Sequence, residues 1–447
     1  MRKQWLAHII TLLLITALLG AYAPLQPVSA APHQDDALVA TAWFDLYLYL
    51  IQQTEGFTPP VAARTLGYAG VTLYEAVVPG MPGYQSLVGQ LNDLTALPQP
   101  DPKQRYAWPA VANSALASLA RELFSNTVRD NKALIDALEQ QLEASLQKKH
   151  DAALLTRSAE HGRTLAAAIY AWSMSDGGHK GQLKNFPLDY QPVSGVGFWQ
   201  ATPPKFLRTP MQPYWGDNRP FALQDDNPCE PPPPPVYSEE QGSPFYQQAL
   251  EVYDTVRQLT PEQRTIALFW ADDPGRTVTP PGHSLALATQ VLRAEHASLA
   301  LAAETYAKVG MAVADAFIGC WQTKFKYNVV RPITYIQQVI EPTWNNPNVT
   351  DPVTTPPFSE YTSGHSVQSA ATATVLAKLF GNAYAITDHT QDQRGFLPRS
   401  YASFWAVAQE AALSRLYGGI HYRAAIEAGS AQGRCIGEQV LALRFKK

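Results

Sequence analysis

Three short segments in the second half of the chain carry cations and histidines at spacings that could serve one small anion. In SRLYGGIHYR, Arg415 and His421 stand six residues apart with Gly418 and Gly419 between them. On an unbroken helix six residues turn through about 600°, which leaves the two side chains on different faces. The glycines let the helix stop and the chain bring His421 back beside Arg415. In WQTKFKYNVVRP, Lys324 and Arg331 are seven residues apart, close to one helical face and about 10 Å along its axis. Pro332 disfavours helical geometry at Arg331, so the helix is expected to end there and tilt the guanidinium inward. Lys326 reads as a solvated charge. In PPFSEYTSGHSVQSAATA, Ser363, Gly364 and His365 sit where a proline-rich loop meets a helical pattern. A helix start offers free N–H groups and the positive end of the dipole, and Gly364 lets an anion approach the backbone. Singly, the segments also read as a helix C-cap, a solvated basic face and an N-cap serine. Together they supply two arginines, a lysine, a hydroxyl, an amide-rich helix start and two histidines. That set is a receptor for a small tetrahedral oxyanion, with imidazoles left over for chemistry.

KFKYNVVRP, TSGH and SRLYGGIH resemble, in order and spacing, the signature shared by vanadium-dependent haloperoxidases and type 2 phosphatidic acid phosphatases. The motifs span residues 324–421, and the helical pattern is compatible with that superfamily from residue 36 onward. The resemblance implies vanadate as cofactor, with phosphate able to occupy the same site. It makes Lys324, Arg331 and Arg415 the equatorial oxyanion contacts, with Ser363 and the Gly364 amide beside them. His421 would be the axial ligand of vanadate or the nucleophile toward phosphate, and His365 the acid/base group at the opposite apex. Trp321 and Phe358 stand at offsets that resemble the halide-side pocket of fungal-type vanadium chloroperoxidase, although core packing explains them equally well. FWADDPGRTVTPPGH resembles a family segment whose acidic residue supports an oxyanion arginine; Asp273 is the first candidate and Asp272 the second. His283 reads as structural or surface.

The chain departs from the pattern in two places. Thr362 replaces the usual proline of the loop, and Ala425 stands where the phosphatases keep an aspartate that orients the nucleophilic histidine. A ligating or attacking imidazole needs its second nitrogen held by an acceptor. Here that acceptor must be a backbone carbonyl or another residue, and Glu427 lies about 200° from Ala425 on a helix. The missing aspartate counts against phosphatase activity. The expected function is a vanadate-dependent haloperoxidase that takes hydrogen peroxide and oxidises bromide or iodide more readily than chloride, its organic acceptor open. The alternatives are an acid phosphatase working at the same site through His421, and an oxyanion-binding protein whose catalysis has decayed.

The elements that must position these residues are helical. Apolar residues recur at helical spacing from DALVATAWFDLYLYLIQQT to AAAIYAWSMS, and again from PFYQQALEVYDTVRQL to the C-terminus. The expected fold is all-α: two helix bundles of the vanadium chloroperoxidase type, over 31–180 and 244–447, the second carrying the site. A Pro/Gly-rich connection over 181–243, including CEPPPPPVY, joins them as irregular surface chain. Helices are expected over about 283–308 and again from Val309, with few strands. Residues 1–30 read as a secretory signal peptide cleaved after Ala30, an uncleaved anchor being the alternative. That makes the mature chain extracytoplasmic, without stable membrane insertion. A net charge of −4 shows none of the basicity that tracks along nucleic acid. Cys229, Cys320 and Cys435 are too few for a disulfide framework or a thiolate metal site, but allow one bridge.

Overall fold

The computed structural model describes residues 37–224, 227–344 and 353–447, so the signal peptide reading lies outside it. Before the connection come α1 (Leu38–Gln53), α2 (Pro59–Val77), α3 (Trp108–Leu123), α4 (Arg129–Leu146) and α5 (Ala152–Ser173). After it come α6 (Pro244–Arg257), α7 (Pro261–Phe269), α8 (Thr279–Ala294), α9 (Leu299–Tyr327), the one-turn α10 (Pro332–Tyr335), α11 (Gly364–Phe380), α12 (Phe404–Tyr417) and α13 (Arg423–Ala442). The fold is all-α with two helical bundles, apart from a small hairpin of β1 (Ile386–Asp388) and β2 (Arg399–Tyr401), paired antiparallel with Ile386 opposite Tyr401. Three-residue strands are too short to show as alternation in the sequence.

One boundary differs from expectation. The chain breaks at residues 295–298, where His296 adopts φ 48° and the Ser298 hydroxyl accepts from Leu301 N at 3.2 Å. A serine N-cap marks this start. From there α9 runs 29 residues without a break at Val309. It is the central strut of the molecule and is buried along most of its length. α2 lies directly against it, and the approach is close because glycines face backbone. A Cβ on Gly70 would fall 2.4 Å from the Tyr306 carbonyl oxygen, and one on Gly310 would fall 2.6 Å from that of Leu66.

The same device docks α13 on α11. Gly429, Gly433 and Gly437 recur every four residues and so share a face. A Cβ on Gly433 would sit 1.9 Å from the Val367 carbonyl oxygen, and one on Gly429 would sit 3.0 Å from that of Ser363. The N-terminus of α11 is thereby pressed onto the first turns of α13, where Ser363 N donates to the Ala425 carbonyl at 3.1 Å.

The irregular connection wraps the chain segments that carry the candidate residues. Trp199 N donates to Asn328 O at 2.7 Å, Val330 N to Gly197 O at 2.9 Å and Met211 N to Pro357 O at 2.8 Å. The Tyr361 hydroxyl donates to the carbonyl of Pro232, within the proline run, at 2.6 Å. A Cys229–Cys435 disulfide fastens the connection to α13, while Cys320 is free and buried. No helix of the described residues is long and apolar enough to cross a membrane.

Candidate active site

The glycine pair ends α12 as expected. Gly419 takes φ +68°, Gly419 N donates to Leu416 O at 2.9 Å, and Ile420 N reaches back to Arg415 O at 3.1 Å. These are the paired bonds of a Schellman motif, which needs the left-handed residue that glycine supplies. The chain turns there, and His421 returns toward the residue that the motif started from. The charges of Arg331, Lys324 and Arg415, with His365, all act on the His421 ring. The three segments thus meet.

Lys324 and Arg331 converge differently from the one-face arrangement expected of a single helix. α9 ends at Tyr327 and Asn328 caps it in the left-handed region, φ 48°. Val329 pairs with Phe198 of the connection, and Arg331 arrives from extended backbone, φ −75° and ψ 151°. The proline restricts Arg331 as expected, but the helix has ended four residues earlier because Asn328 makes the turn. Arg331 is fully buried; its Nε donates to Phe358 O at 2.7 Å and its Nη1 to Ile420 O at 2.8 Å. Nη1 also stands 3.2 Å from His421 Nε2. Lys324 Nζ donates to the carbonyls of Ser359 (3.0 Å), Glu360 (2.9 Å) and Thr362. Lys326 stays outside, paired with Glu230 at the surface.

Ser363 is the N-cap of α11, its hydroxyl accepting from Ser366 N at 3.4 Å. The amides of Gly364 and His365 are the first of the helix and have no acceptor within it. Thr362, in place of the usual proline, is anchored by its hydroxyl to Gln432 Oε1 at 2.8 Å. The His365 ring bonds the Trp270 carbonyl, which also accepts from Arg415 Nη2 at 2.7 Å. One backbone oxygen thus holds both side chains.

Sequence reasoning missed Glu360. It supplies the acceptor that Ala425 cannot: His421 Nδ1 lies 2.8 Å from Glu360 Oε1, with the carboxyl 1 % exposed. The absence of aspartate at position 425 therefore does not leave the imidazole unsupported. The available signal was an acid five residues before His365, in a loop without periodicity.

The electrostatics favour an anion. Burial pushes Arg331 and Arg415 down to about 10 and Lys324 down to about 7. Burial first, then the neighbouring cations, holds both His365 and His421 well below the usual imidazole range, so both rings are neutral. Burial raises the Glu360 carboxyl to about 7 against the pull of Arg331 and Lys324. An anion among the three buried cations would offset the cost of burying them.

The residues present fit a tetrahedral oxyanion. Arg331 Nη2 and His365 Nε2 are buried without a hydrogen-bond partner, an unusual state for strong donors and acceptors. In front of Gly364 there is room: a Cβ built there would meet nothing nearer than Phe317 at 3.9 Å and Trp321 at 4.0 Å.

Trp321 and Phe358 pack at 5.0 Å between ring centres, and Lys324 Nζ stands 5.1 Å from the Phe358 ring centre. They wall the cationic site and belong to the main core as well. Asp273 and Asp272 both act on Arg415 through their charge. Burial raises Asp273 to about 6, with Arg415 pulling it back. Asp272 is committed elsewhere, 3.0 Å from His283 Nδ1. His283 is fully buried, with Asp388 on its other nitrogen at 2.7 Å and Trp270 stacked on it at 4.4 Å. It is structural, and the surface alternative is excluded by that burial.

Comparison with known proteins agrees with this geometry. The family described as the VCPO second helical-bundle domain matches residues 304–446, which include all three segments. The crystal structure of a protein described as the first bacterial vanadium-dependent iodoperoxidase is similar at 35 % identity and a TM-score of 0.83, over 94 % of this chain and 99 % of its own. A bacterial vanadium-dependent chloroperoxidase shares the fold at 14 % identity in its holo form (TM-score 0.67, 92 % of this chain and 98 % of that one). A structure described as an apo-type bacterial vanadium-dependent chloroperoxidase does so at 15 % identity (TM-score 0.64, 85 % of this chain and 92 % of that one). No functionally curated protein matches the sequence.

Proposed function

The chain belongs to the vanadium-dependent haloperoxidase family, enzymes that use vanadate to oxidise halide with hydrogen peroxide, and we propose that this member works on iodide and bromide ahead of chloride through the enclosed cationic site. The observation that carries the reading is the convergence of buried Lys324, Arg331 and Arg415 on His421 and His365, with Arg331 Nη2 and His365 Nε2 left unpaired. The preference for iodide is supported by the 35 % identical iodoperoxidase.

Vanadate, when bound, would supply a Lewis-acidic centre for peroxide-dependent halide oxidation without a change in its own oxidation state. The chain supplies the rest. His421 would hold the vanadate through Nε2. Arg331 and Arg415 would bind oxyanion oxygens through planar forks, and Lys324, whose ammonium is spent on three carbonyls, would add its charge beside them, together withdrawing electron density. Ser363 and the Gly364 amide donate from the start of α11. Neutral His365 has a free Nε2 at which to take up and return a proton. Trp321 and Phe358 keep water off one side, which strengthens each charge in the site. Asp273 tempers Arg415 through its field. Secretion is supported by the leader reading of residues 1–30 and by the Cys229–Cys435 disulfide, which suits an oxidising compartment.

The test is to strip the protein of metal and assay iodide, bromide and chloride oxidation with peroxide before and after adding vanadate. Activity should appear only with vanadate and fall in that order of halides. Halide oxidation by the stripped protein, or phosphomonoester hydrolysis with no halide oxidation after loading, would overturn the reading.

A further inference from the structure

We propose that Glu360 is the positioning residue for His421, fixing the imidazole tautomer that turns the Nε2 lone pair toward Arg331 and the oxyanion site. The inference deepens the proposed function and rests on its assignment of His421 as ligand.

Glu360 Oε1 accepts from the backbone N–H of Tyr422 at 2.9 Å, and an amide N–H can only donate. The same oxygen lies 2.8 Å from His421 Nδ1. As a carboxylate oxygen it has only lone pairs to offer, so Nδ1 carries the hydrogen and Nε2 the lone pair. A second contact agrees independently: Arg331 Nη1, which also can only donate, stands 3.2 Å from Nε2.

Glu360 is itself held on three sides. Its N–H donates to Val329 O at 3.0 Å, its carbonyl accepts from Lys324 Nζ at 2.9 Å, and its carboxyl is enclosed. One residue thus links the segment of Lys324 and Arg331 to that of His421. Position 425 is free to be alanine because the acceptor comes from the loop before α11 rather than from α13. There Ala425 is fully buried and lends its carbonyl to Ser363 N.

The experiment compares wild type with Glu360→Ala and Glu360→Gln in vanadate-free protein labelled with 15N-histidine. The tautomer is read by NMR, and His421 is assigned by difference against His421→Gln. Equilibrium dissociation constants for vanadate and for inorganic phosphate are then measured. Wild type should show a protonated Nδ1 and a bare Nε2. Glu360→Ala should lose that tautomer preference and bind vanadate about 10–100-fold more weakly, the usual cost of removing an outer partner of a ligating histidine. Glu360→Gln, whose amide oxygen still accepts, should recover the tautomer and part of the affinity. A wild-type His421 protonated at Nε2, or a Glu360→Ala protein with unchanged tautomer and affinity, would overturn the proposal. Should Glu360→Ala fail to fold, the wild-type and Glu360→Gln spectra still decide it. Wild-type protein that bound no vanadate would instead overturn the functional reading, and the tautomer would be read all the same.

Discussion

Arg331 Nη1 stands 3.2 Å from His421 Nε2, so a side chain from extended backbone after α9 meets one from the turn after α12 across 90 residues of sequence. The guanidinium can hold this place because its other nitrogens are pinned or aimed elsewhere: Nε on Phe358 O, and Nη2 unpaired. Lysine carries the charge but not the fork. Arg331→Lys and Arg415→Lys are each expected to weaken vanadate binding by about 10–100-fold, the worth of a charged hydrogen bond. Lys326→Ala, whose amine pairs with Glu230 at the surface, should leave affinity unchanged. Titration of the three variants with vanadate checks this, and equal losses at all three would mean that only the general field matters.

The aromatic wall bears on halide choice. Trp321 and Phe358 meet at 5.0 Å beside Lys324, and Trp321 also faces Gly364. Chloride is the hardest of the three halides to oxidise and so depends most on a dry, strongly polarised site. Trp321→Ala and Phe358→Ala should lower chloride turnover, if wild type shows any, and bromide turnover more than iodide turnover in the vanadate-loaded enzyme. Unchanged ratios and rates in both variants would assign the pair to core packing alone.

Much of this site could be read from local sequence because its geometry is local. Gly418 and Gly419 announce a left-handed turn, Pro332 an extended Arg331, and Ser363-Gly364 a helix start. What escaped is long-range. Glu360 finds His421 61 residues away, and His283 finds Asp388 105 residues away, with no periodicity to mark either pair. The Cys229–Cys435 pairing is likewise set by how α13 docks, not by spacing. Asn328 could have marked the end of α9, since asparagine tolerates the left-handed region, but Pro332 was the louder signal.

The packing of α13 on α11 carries its own test. A Cβ on Gly433 would fall 1.9 Å from a backbone oxygen, which cannot swing away as a side-chain end could. Gly433→Ala should destabilise the fold by about 1–3 kcal/mol or more, as overpacking does. It should also reduce vanadate affinity by displacing Ser363 and Gly364. A thermal melt and a vanadate titration together would show whether the two losses travel together.

His283 makes stability depend on pH in a stated direction. Burial alone would push its imidazole down, but Asp272 and Asp388 outweigh this and hold it up at about 10. A group whose folded value lies above its ordinary 6.5 contributes fully below that value and loses its contribution as pH rises through the folded value. Wild type should therefore lose stability progressively from about pH 7 to about pH 10, and this part of the slope should be missing in His283→Gln. Denaturant melts across that range give the comparison; parallel slopes would show that the buried triad is not ionised as described.

The most direct measurement is vanadate binding at equilibrium to the metal-free protein, with wild type and His421→Ala side by side and inorganic phosphate as competitor. His421 lies in a turn with its ring in the site, so its truncation should spare the helices and leave circular dichroism unchanged. Wild type is expected to take up one vanadate per chain, phosphate to displace it competitively, and His421→Ala to lose both the binding and the halide oxidation. A folded His421→Ala protein that binds vanadate and oxidises iodide as wild type does would contradict the account at its centre.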